Sequence, residues 1–284
     1  MQERNPMQFC IVVAKACTMN VTLITGASAG IGEAAAYEFA ARQHNLLLVA
    51  RNEQKLSELC ADLKNKYKID AQYIAADLSQ ANGPDVVFET CKQKGLEVQV
   101  LINNAGIGSS GEFYKNDLRA ELSMLQLNIS GLVALTHLFL PAMIKHRKGD
   151  IINVASLAAY FPSPYMAAYS ASKAFVKSFT QSLNEECKPY GINVMLFSPG
   201  LTISNFMNTP ANNNAWGKAL VEGANTQTSA QVAQEMARAW QRHKKLYVSG
   251  RKNRMMIKIA SLVPHSFIAG AFAKAKRKRM NFSI

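Results

Sequence analysis

The chain has 284 residues, of which 49 % are hydrophobic and 18 % are charged, so it can bury a substantial core, which excludes a disordered or collagen-like protein. Its net charge of +13 arises near the C-terminus: residues 1–235 contain 19 basic and 19 acidic residues, whereas residues 236–284 contain 13 basic residues and no acidic one. We expect so basic a segment to face an anionic neighbour, and membrane phosphates, nucleic acid and an acidic protein are all open.

Residues 1–18 precede the first convincing strand. Their apolar run, residues 9–14, is too short for a membrane span and has little positive charge ahead of it, so it makes a poor signal peptide. We expect a loose extension, or an upstream start codon with Met19 as the true start. An added edge segment is the alternative.

The cysteines bear on the redox compartment. They are odd in number, scattered and without a CxxC pair, which favours free thiols in a reducing compartment over a disulfide framework. These cysteines are Cys10, Cys17, Cys60, Cys91 and Cys187.

Buried strands and helices alternate along the chain. Strands are predicted at residues 21–26, 45–50, 71–76, 98–102, 150–155, 192–197 and 245–248, and helices at about 31–43, 53–67, 83–94, 118–145, 166–189 and 230–242. Such alternation requires right-handed crossovers and gives a seven-stranded parallel sheet with helices on both faces. No linker interrupts it, so we predict one doubly wound α/β domain over residues 19–250, with its chemistry at the carboxyl ends of the strands.

A glycine-rich turn, TGASAGIG, joins the first strand to the first helix and contains Gly26, Gly30 and Gly32. Glycines allow the backbone to turn sharply and to approach a pyrophosphate, whose charge the helix N-terminus stabilises. The first gap is longer than in the GxGxxG pattern. The position between strand and helix nevertheless favours nucleotide binding over a simple tight turn.

The end of the second strand indicates which dinucleotide binds. An acidic residue there would hold the ribose 2′-hydroxyl of NAD, but the sequence reads Ala50 and Arg51. The Arg51 guanidinium, with the Ser28 hydroxyl from the first loop, suits the 2′-phosphate of NADP. We therefore predict NADP (NADPH) rather than NAD; a solvated surface arginine is the alternative.

Four motifs together resemble the short-chain dehydrogenase/reductase family. They are TGASAGIG, NNAG at residues 103–106, YSASK from Tyr169 to Lys173, and SPG at residues 198–200. Each follows a predicted strand in the family's order and spacing, and the resemblance covers residues 20–250. It implies a Rossmann fold and hydride transfer between a nicotinamide cofactor and a carbonyl or alcohol.

The resemblance implies a catalytic tetrad of Asn128, Ser156, Tyr169 and Lys173. In reduction Tyr169 would protonate the carbonyl oxygen and Ser156 would hydrogen-bond to it, while the family assigns Lys173 to the nicotinamide ribose and Asn128 to a water in the proton relay. A tyrosine has a pKa of ~10 in water. A lysine ammonium one helical turn away, at ~4 Å in an effective dielectric of ~20, would lower that pKa by about 3 units.

The same resemblance implies the cofactor contacts. Asp77 would meet the adenine amine, Asn104 and Gly106 the adenosine side, and Ser204 stands where the family often has threonine. Gln99 replaces an aspartate common before NNAG, which affects only a local structural contact. No metal is predicted, because the histidines lack metal-binding spacing. The predicted cofactor-binding residues are Gly26, Ser28, Gly30, Ile31, Gly32, Arg51, Asp77, Asn104, Gly106, Tyr169, Lys173, Pro199, Gly200 and Ser204.

The substrate side of the site is apolar in sequence. Residues 157–168 carry no charge, and we expect Tyr160 and Tyr165 in this segment to be pocket walls rather than acids. The loop after the sixth strand adds Leu201, Ile203, Phe206, Met207 and Trp216. These residues favour a hydrophobic carbonyl or alcohol over a sugar phosphate, although they could equally belong to the core.

Residues 251–284 lie beyond the resemblance. Residues 255–273 are nearly all apolar between basic clusters, which is typical of an interfacial helix pair on an anionic membrane surface. A helix packed on the domain or across a dimer is the alternative. No nucleic-acid partner is expected, since residues 274–279 lack interleaved aromatics. We expect a homo-oligomeric enzyme that is cytoplasmic or peripheral at the cytoplasmic membrane face; an NADP-binding regulator or scaffold is the competing function.

Overall fold

The computed structural model describes residues 18–203 and 226–279. It contains a parallel sheet whose seven strands follow the order β3-β2-β1-β4-β5-β6-β9. The predicted doubly wound fold is thereby confirmed. The nine strands of the described residues are β1 (Met19–Thr25), β2 (Leu46–Ala50), β3 (Ala71–Ala75), β4 (Leu96–Asn103), β5 (Asp150–Val154), β6 (Asn193–Ser198), β7 (Thr202–Ile203), β8 (Gln227–Thr228) and β9 (Leu246–Val248).

Helices cover both faces of this sheet. Phe39 and Met236 belong to the core on one face, and Phe139 and Leu183 to the core on the other. This arrangement explains why the strands are apolar without alternation. The helices of the described residues are α1 (Gly30–Ala40), α2 (Glu53–Tyr67), α3 (Gly83–Gln93), α4 (Leu118–Leu125), α5 (Leu132–His146), α6 (Ala167–Cys187), α7 (Ser229–Gln241), α8 (Arg251–Ala260) and α9 (His265–Arg279).

Strand order reverses at β1, which pairs with β2 on one side and with β4 on the other. The connections after these strands leave on opposite faces, so a crevice opens beyond their carboxyl ends. The glycine-rich turn and the NNAG motif follow β1 and β4 directly. The fold therefore brings these two motifs together.

The helix predicted at 118–145 is one continuous helix with a wider π-turn at Gln126–Gly131, between α4 and α5. The whole segment, Leu118–His146, is the one helix of the described residues long and apolar enough to span a membrane. Buried residues of α5, such as Phe139 and Met143, pack in the core. A core helix passes the same test of length and composition.

A buried polar ladder crosses the centre of the sheet. Asn103 on β4 donates to Asn153 Oδ1 on β5 at 2.9 Å and to Thr136 Oγ1 on α5 at 3.0 Å. Asn153 in turn donates to Thr180 Oγ1 on α6 at 3.0 Å. Two strands and two helices are joined by these side chains, which lie among otherwise apolar neighbours.

Helices α8 and α9 form a hairpin with several exposed apolar and basic side chains. Leu262 is 86 % exposed and Phe267 is 71 % exposed. The hairpin contacts the domain through Lys276, which donates to the carbonyl oxygen of Pro164 at 2.7 Å, and through Phe272, whose ring packs edge-on against Phe161 at 5.3 Å between centroids.

Two further outcomes concern thiols and short strands. Cys60, Cys91 and Cys187 are free and buried, as expected, whereas Cys10 and Cys17 lie outside the described residues. The pair β7–β8 was not predicted, because two-residue strands carry no periodicity.

Candidate active site

A cavity of about 900 Å³ opens at the carboxyl ends of the strands. Gly32 and Asn128 lie directly behind its wall, and Ser204 lies outside the described residues. All the other predicted site residues line the cavity: Gly26, Ser28, Gly30, Ile31, Arg51, Asp77, Asn104, Gly106, Ser156, Tyr169, Lys173, Pro199 and Gly200.

The glycine-rich turn has the geometry that anion binding requires. Gly26 and Gly30 adopt φ of 67° and 63°, which only glycine adopts without strain. A Cβ on Gly32 would lie 2.3 Å from the carbonyl oxygen of Gly26. Ala29, the N-cap of α1, makes no side-chain cap, so the first N–H groups of the helix are available to a phosphate.

Thr25 fixes this turn to the NNAG motif, a role the sequence reasoning missed. Its hydroxyl oxygen accepts hydrogen bonds of 2.9 Å from the backbone N–H groups of Asn104 and Ala105. The Asn104 side chain returns a 2.9 Å bond to the carbonyl oxygen of Thr25. The only sequence signal was a threonine beside the first glycine.

Arg51 and Asp77, which follow β2 and β3, both line the cavity. Asp77 Oδ1 accepts from the backbone N–H of Ser79 at 2.9 Å and from its hydroxyl at 2.7 Å. Burial acts to raise the pKa of Asp77, but the Ser79 hydrogen bonds and the charge of Arg51 outweigh it and lower that pKa. The Asn52 side chain caps α2 by accepting a hydrogen bond from the backbone N–H of Lys55. Arg51 is the charged residue that directly follows β2 in the cavity wall.

Tyr169 and Ser156 meet in the interior of the cavity. Tyr169 is only 8 % exposed and packs with Met124 and Met166. Ser156 caps a short turn at 157–159 by accepting from Ala158 N at 3.2 Å. Burial raises the pKa of Tyr169, and a hydrogen bond with Ser156 acts in the opposite direction.

Lys173 lies one turn further along α6, and its ammonium donates to the carbonyl oxygen of Val154 at 3.0 Å. Burial lowers its pKa to about 8. The expectation that Lys173 lowers the pKa of Tyr169 was wrong, because that pKa is raised. Desolvation favours the neutral form of both groups.

Asn128 lies on the π-turn and holds the NNAG loop. Its Nδ2 donates to Ile107 O at 2.9 Å and to Ser172 Oγ at 3.1 Å, and its Oδ1 accepts from Ile107 N at 3.1 Å. A Cβ on Gly106 would lie 3.0 Å from Asn128 Oδ1 and 3.2 Å from Lys173 Nζ. π-Turns often mark functional sites, and here the wider turn faces the NNAG loop.

The opposite end of the cavity is apolar. Its wall includes Leu157, Phe161, Met166 and Leu201 from the predicted segments. Ile203 is 63 % exposed and is not part of this wall, and Phe206, Met207 and Trp216 lie outside the described residues.

The expectation for Tyr160 and Tyr165 was wrong. Neither lines the cavity within the described part of the chain. Tyr160 shares a 3.2 Å hydrogen bond with Ser198, and Lys177 lies 4.6 Å from its ring centroid. Tyr165 adopts φ of 64° at a turn. Polar and charged partners outside the cavity hold the Tyr160 ring, and the neighbouring Phe161 reaches the cavity instead.

Helix α9 adds two wall residues that the sequence analysis did not predict. Phe272 and Lys276 line the cavity. Burial lowers the pKa of Lys276 to about 8. Near the SPG motif, a Cβ on Gly200 would lie 2.3 Å from Asn253 Nδ2 of α8, so Gly200 also permits the close approach of the hairpin.

Comparisons with known proteins identify the family of this chain. A family described as short chain dehydrogenase matches residues 20–215. Dehydrogenase/reductase SDR family member 7B from Xenopus laevis is 30 % identical over 266 residues, which cover 91 % of this chain and 82 % of the relative. Very-long-chain 3-oxoacyl-CoA reductase from Phaeosphaeria nodorum is 37 % identical over 178 residues, or 61 % of this chain and 52 % of that enzyme.

Solved structures agree at the level of the fold. A short-chain dehydrogenase from Sphingobium yanoikuyae in complex with NADPH has a TM-score of 0.73 and 29 % identity, over 82 % of this chain and 88 % of that one. A short-chain dehydrogenase/reductase from Burkholderia phymatum in complex with NAD has a TM-score of 0.76 at 21 % identity. The match covers 85 % of this chain and 92 % of that one. The chain belongs to the short-chain dehydrogenase/reductase family of oxidoreductases.

Proposed function

We propose that this protein is an NADP(H)-dependent oxidoreductase that interconverts a hydrophobic carbonyl compound and its alcohol. The observation that carries the proposal is the meeting of Tyr169, Ser156 and Lys173 in one cavity with the glycine-rich turn. In terms of domains, residues 19–250 form the catalytic unit, with extensions at 1–18 and 251–284.

The residues present fit a dinucleotide. The first N–H groups of α1 and the bare glycine backbone suit a pyrophosphate, and Asp77, Asn104 and Gly106 suit the adenosine side. Arg51 favours NADP, because a guanidinium binds a 2′-phosphate whereas NAD calls for an acid at this position. When bound, the nicotinamide would supply or accept the hydride.

The chain's own residues would handle the proton. Tyr169 is protonated at neutral pH because burial raises its pKa, so it is ready to donate to the substrate oxygen, and Ser156 would donate a second hydrogen bond to that oxygen. Lys173 carries the positive charge that favours a tyrosinate after transfer and would hold the nicotinamide ribose. Asn128 would position the NNAG loop, since its amide is bonded to both backbone groups of Ile107.

The substrate end supports an apolar substrate. Leu157, Phe161, Met166 and Phe272 offer it few polar partners, so a sugar would lose hydrogen bonds to water there. The reductases of very-long-chain 3-oxoacyl-CoA among the relatives support a substrate with an apolar chain.

We place the protein in the cytoplasm, as a homo-oligomer with the α8–α9 hairpin against an anionic membrane surface. The exposed Leu262 would enter the headgroup region while the basic side chains of the hairpin meet lipid phosphates. Sedimentation with phosphatidylserine vesicles tests this, with Leu262→Ser as the variant. Unchanged sedimentation of that variant, or none by the wild type, would contradict it.

The function itself is tested by fluorescence titration with NADPH and NADH, followed by NADPH oxidation against hydrophobic ketones and aldehydes. We expect NADPH to bind more tightly and turnover to disappear in Tyr169→Phe while binding persists. Tight NADPH binding without turnover on any carbonyl would favour the regulator or scaffold instead.

A further inference from the structure

A second cavity, of about 530 Å³, lies between α8 and α9. Its walls come from Met255, Met256 and Ile259 on one helix and from Phe267, Ile268 and Ala271 on the other. These spacings place each set on one face of its helix. Lys252, at one end, is the one charged residue among the described residues of its wall.

The two cavities share a wall. Phe161 and Phe272 line both of them, and their rings meet edge-on at 5.3 Å and 67°. Tyr169 and Ser156 lie in the cavity on one side of this ring pair. A ligand that extends away from the catalytic groups along the apolar wall therefore reaches these two rings before it reaches the second cavity.

We propose that the α8–α9 groove binds the unbranched hydrocarbon chain of a substrate whose carbonyl lies at Tyr169. The inference rests on the proposed oxidoreductase function and adds the shape of the substrate to it. The chain would displace the Phe161–Phe272 contact and continue between the two helices.

The shape and chemistry of the groove favour this occupant. Between Lys252 and Ala260 the groove follows α8 for ~12 Å, at 1.5 Å per residue, which suits an extended chain better than a compact ring system. Thioether, aliphatic and aromatic walls offer hydrocarbon contacts, and a polar ligand would leave its own groups unpaired there. The shared ring wall connects the groove with the catalytic cavity and so favours a substrate chain over a membrane lipid or a second protein copy.

A chain-length series tests the proposal. The kcat/KM of the wild type with NADPH is measured on straight-chain aldehydes and methyl ketones of increasing length. Once the chain passes the ring pair, we expect a rise of about fourfold per added methylene, from ~0.8 kcal/mol per buried methylene, until the groove is filled. No rise with length would overturn the proposal.

Variants locate the effect. Ala271→Trp fills the groove from α9, and Ile259→Glu places a charge in it from α8; both should reduce the ratio of long-chain to short-chain kcat/KM at least tenfold. Ala275→Trp, on the same helix at an exposed position that lines neither cavity, should keep the wild-type ratio. A ratio that neither groove variant changes would overturn the proposal, as would groove variants that change only vesicle binding or oligomeric state.

A binding measurement separates this inference from the proposed function. Parinaric acid, a fluorescent long-chain fatty acid, should bind the wild type and Ala275→Trp and should bind Ala271→Trp at least tenfold more weakly. If no carbonyl of any length is reduced but parinaric acid binds the three proteins as expected, the proposed oxidoreductase function is contradicted and the proposed chain binding in the groove is retained. If short carbonyls are reduced and the probe binds all three proteins equally, the proposed chain binding in the groove is contradicted and the proposed oxidoreductase function is retained.

Discussion

The side chain of Asn128 pairs with both backbone groups of Ile107, accepting from its N–H at 3.1 Å and donating to its carbonyl oxygen at 2.9 Å. An aspartate has the same shape but no donor, so Asn128→Asp would bury a carboxylate against that carbonyl. We expect a loss of roughly 1–3 kcal/mol in the free energy of unfolding, measured by urea denaturation.

The matched control for this change is Asn52→Asp. Asn52 caps α2 by accepting from Lys55 N, and aspartate caps equally well. Stability should therefore be retained there. Equal effects at the two positions would show that the Asn128–Ile107 pairing contributes nothing specific.

The glycine-rich turn should not accept a methyl group at Gly32, where a Cβ would lie 2.3 Å from a carbonyl oxygen. Gly32→Ala must shift the turn, and overpacking of this kind costs about 1–3 kcal/mol. We expect NADPH affinity, measured by fluorescence titration, to fall at least tenfold. Gly95→Ala is the control: its φ of 62° is unfavourable for alanine, but nothing lies within 4 Å of the added Cβ, so NADPH affinity should be unchanged.

Arg51 should decide between the two cofactors. A hydrogen bond to a charged group contributes about 1.5–3 kcal/mol, so Arg51→Ala should weaken NADPH binding about ten- to a hundredfold and leave NADH binding unchanged. Isothermal titration with each cofactor measures both. Lys55→Ala, a basic residue on α2 outside the cavity wall, should alter neither, and an equal loss for NADPH and NADH in Arg51→Ala would contradict recognition of the 2′-phosphate.

Lys173 should make stability depend on pH. Burial lowers its pKa from 10.5 to about 8, so between these values the unfolded chain binds more protons and stability rises with pH. The free-energy cost of burying the charged Lys173 ammonium applies in full below pH 8 and disappears above pH 10.5. Between pH 7 and pH 10.5, the free energy of unfolding of the wild type, measured without added cofactor, should therefore rise by up to roughly 3 kcal/mol relative to that of Lys173→Met. Urea midpoints at both pH values check this, and a gap that stays constant would refute it.

The bond from Lys276 to Pro164 should hold α9 over the cavity. Lys276→Met removes this 2.7 Å contact, so we expect faster amide hydrogen exchange in α9 and in residues 160–166, while the central strands stay protected. Lys278→Met, at an exposed position on the same helix, is the control. Identical exchange in both variants would mean that the bond does not fix the helix.

The sheet and most of the site were predictable because both depend on local signals. Each strand is a short apolar run, and Gly26, Asn104, Ser156 and Pro199 all follow strand ends, which a parallel sheet brings to one edge. The spacing of Tyr169 and Lys173 on α6 was equally local.

The remaining features depend on distant neighbours or on burial. Lys276 lies 112 residues from Pro164, and no periodicity relates them. The six residues of the π-turn at Asn128, QLNISG, include no proline that would mark it in the sequence. The raised pKa of Tyr169 follows from desolvation, which a sequence does not reveal for a single side chain.

The Asn103–Asn153–Thr180 ladder has a consequence for the accuracy of folding. Strands that are apolar on both faces can slide past their neighbours with little loss of hydrophobic burial. A slip of β5 by one residue would turn Asn153 to the opposite face and leave buried amides unpaired, so misaligned pairings are penalised. Ser156 follows Asn153 by three residues and Asn104 follows Asn103 by one, so the register that this ladder selects also fixes the position of Ser156 relative to the NNAG loop.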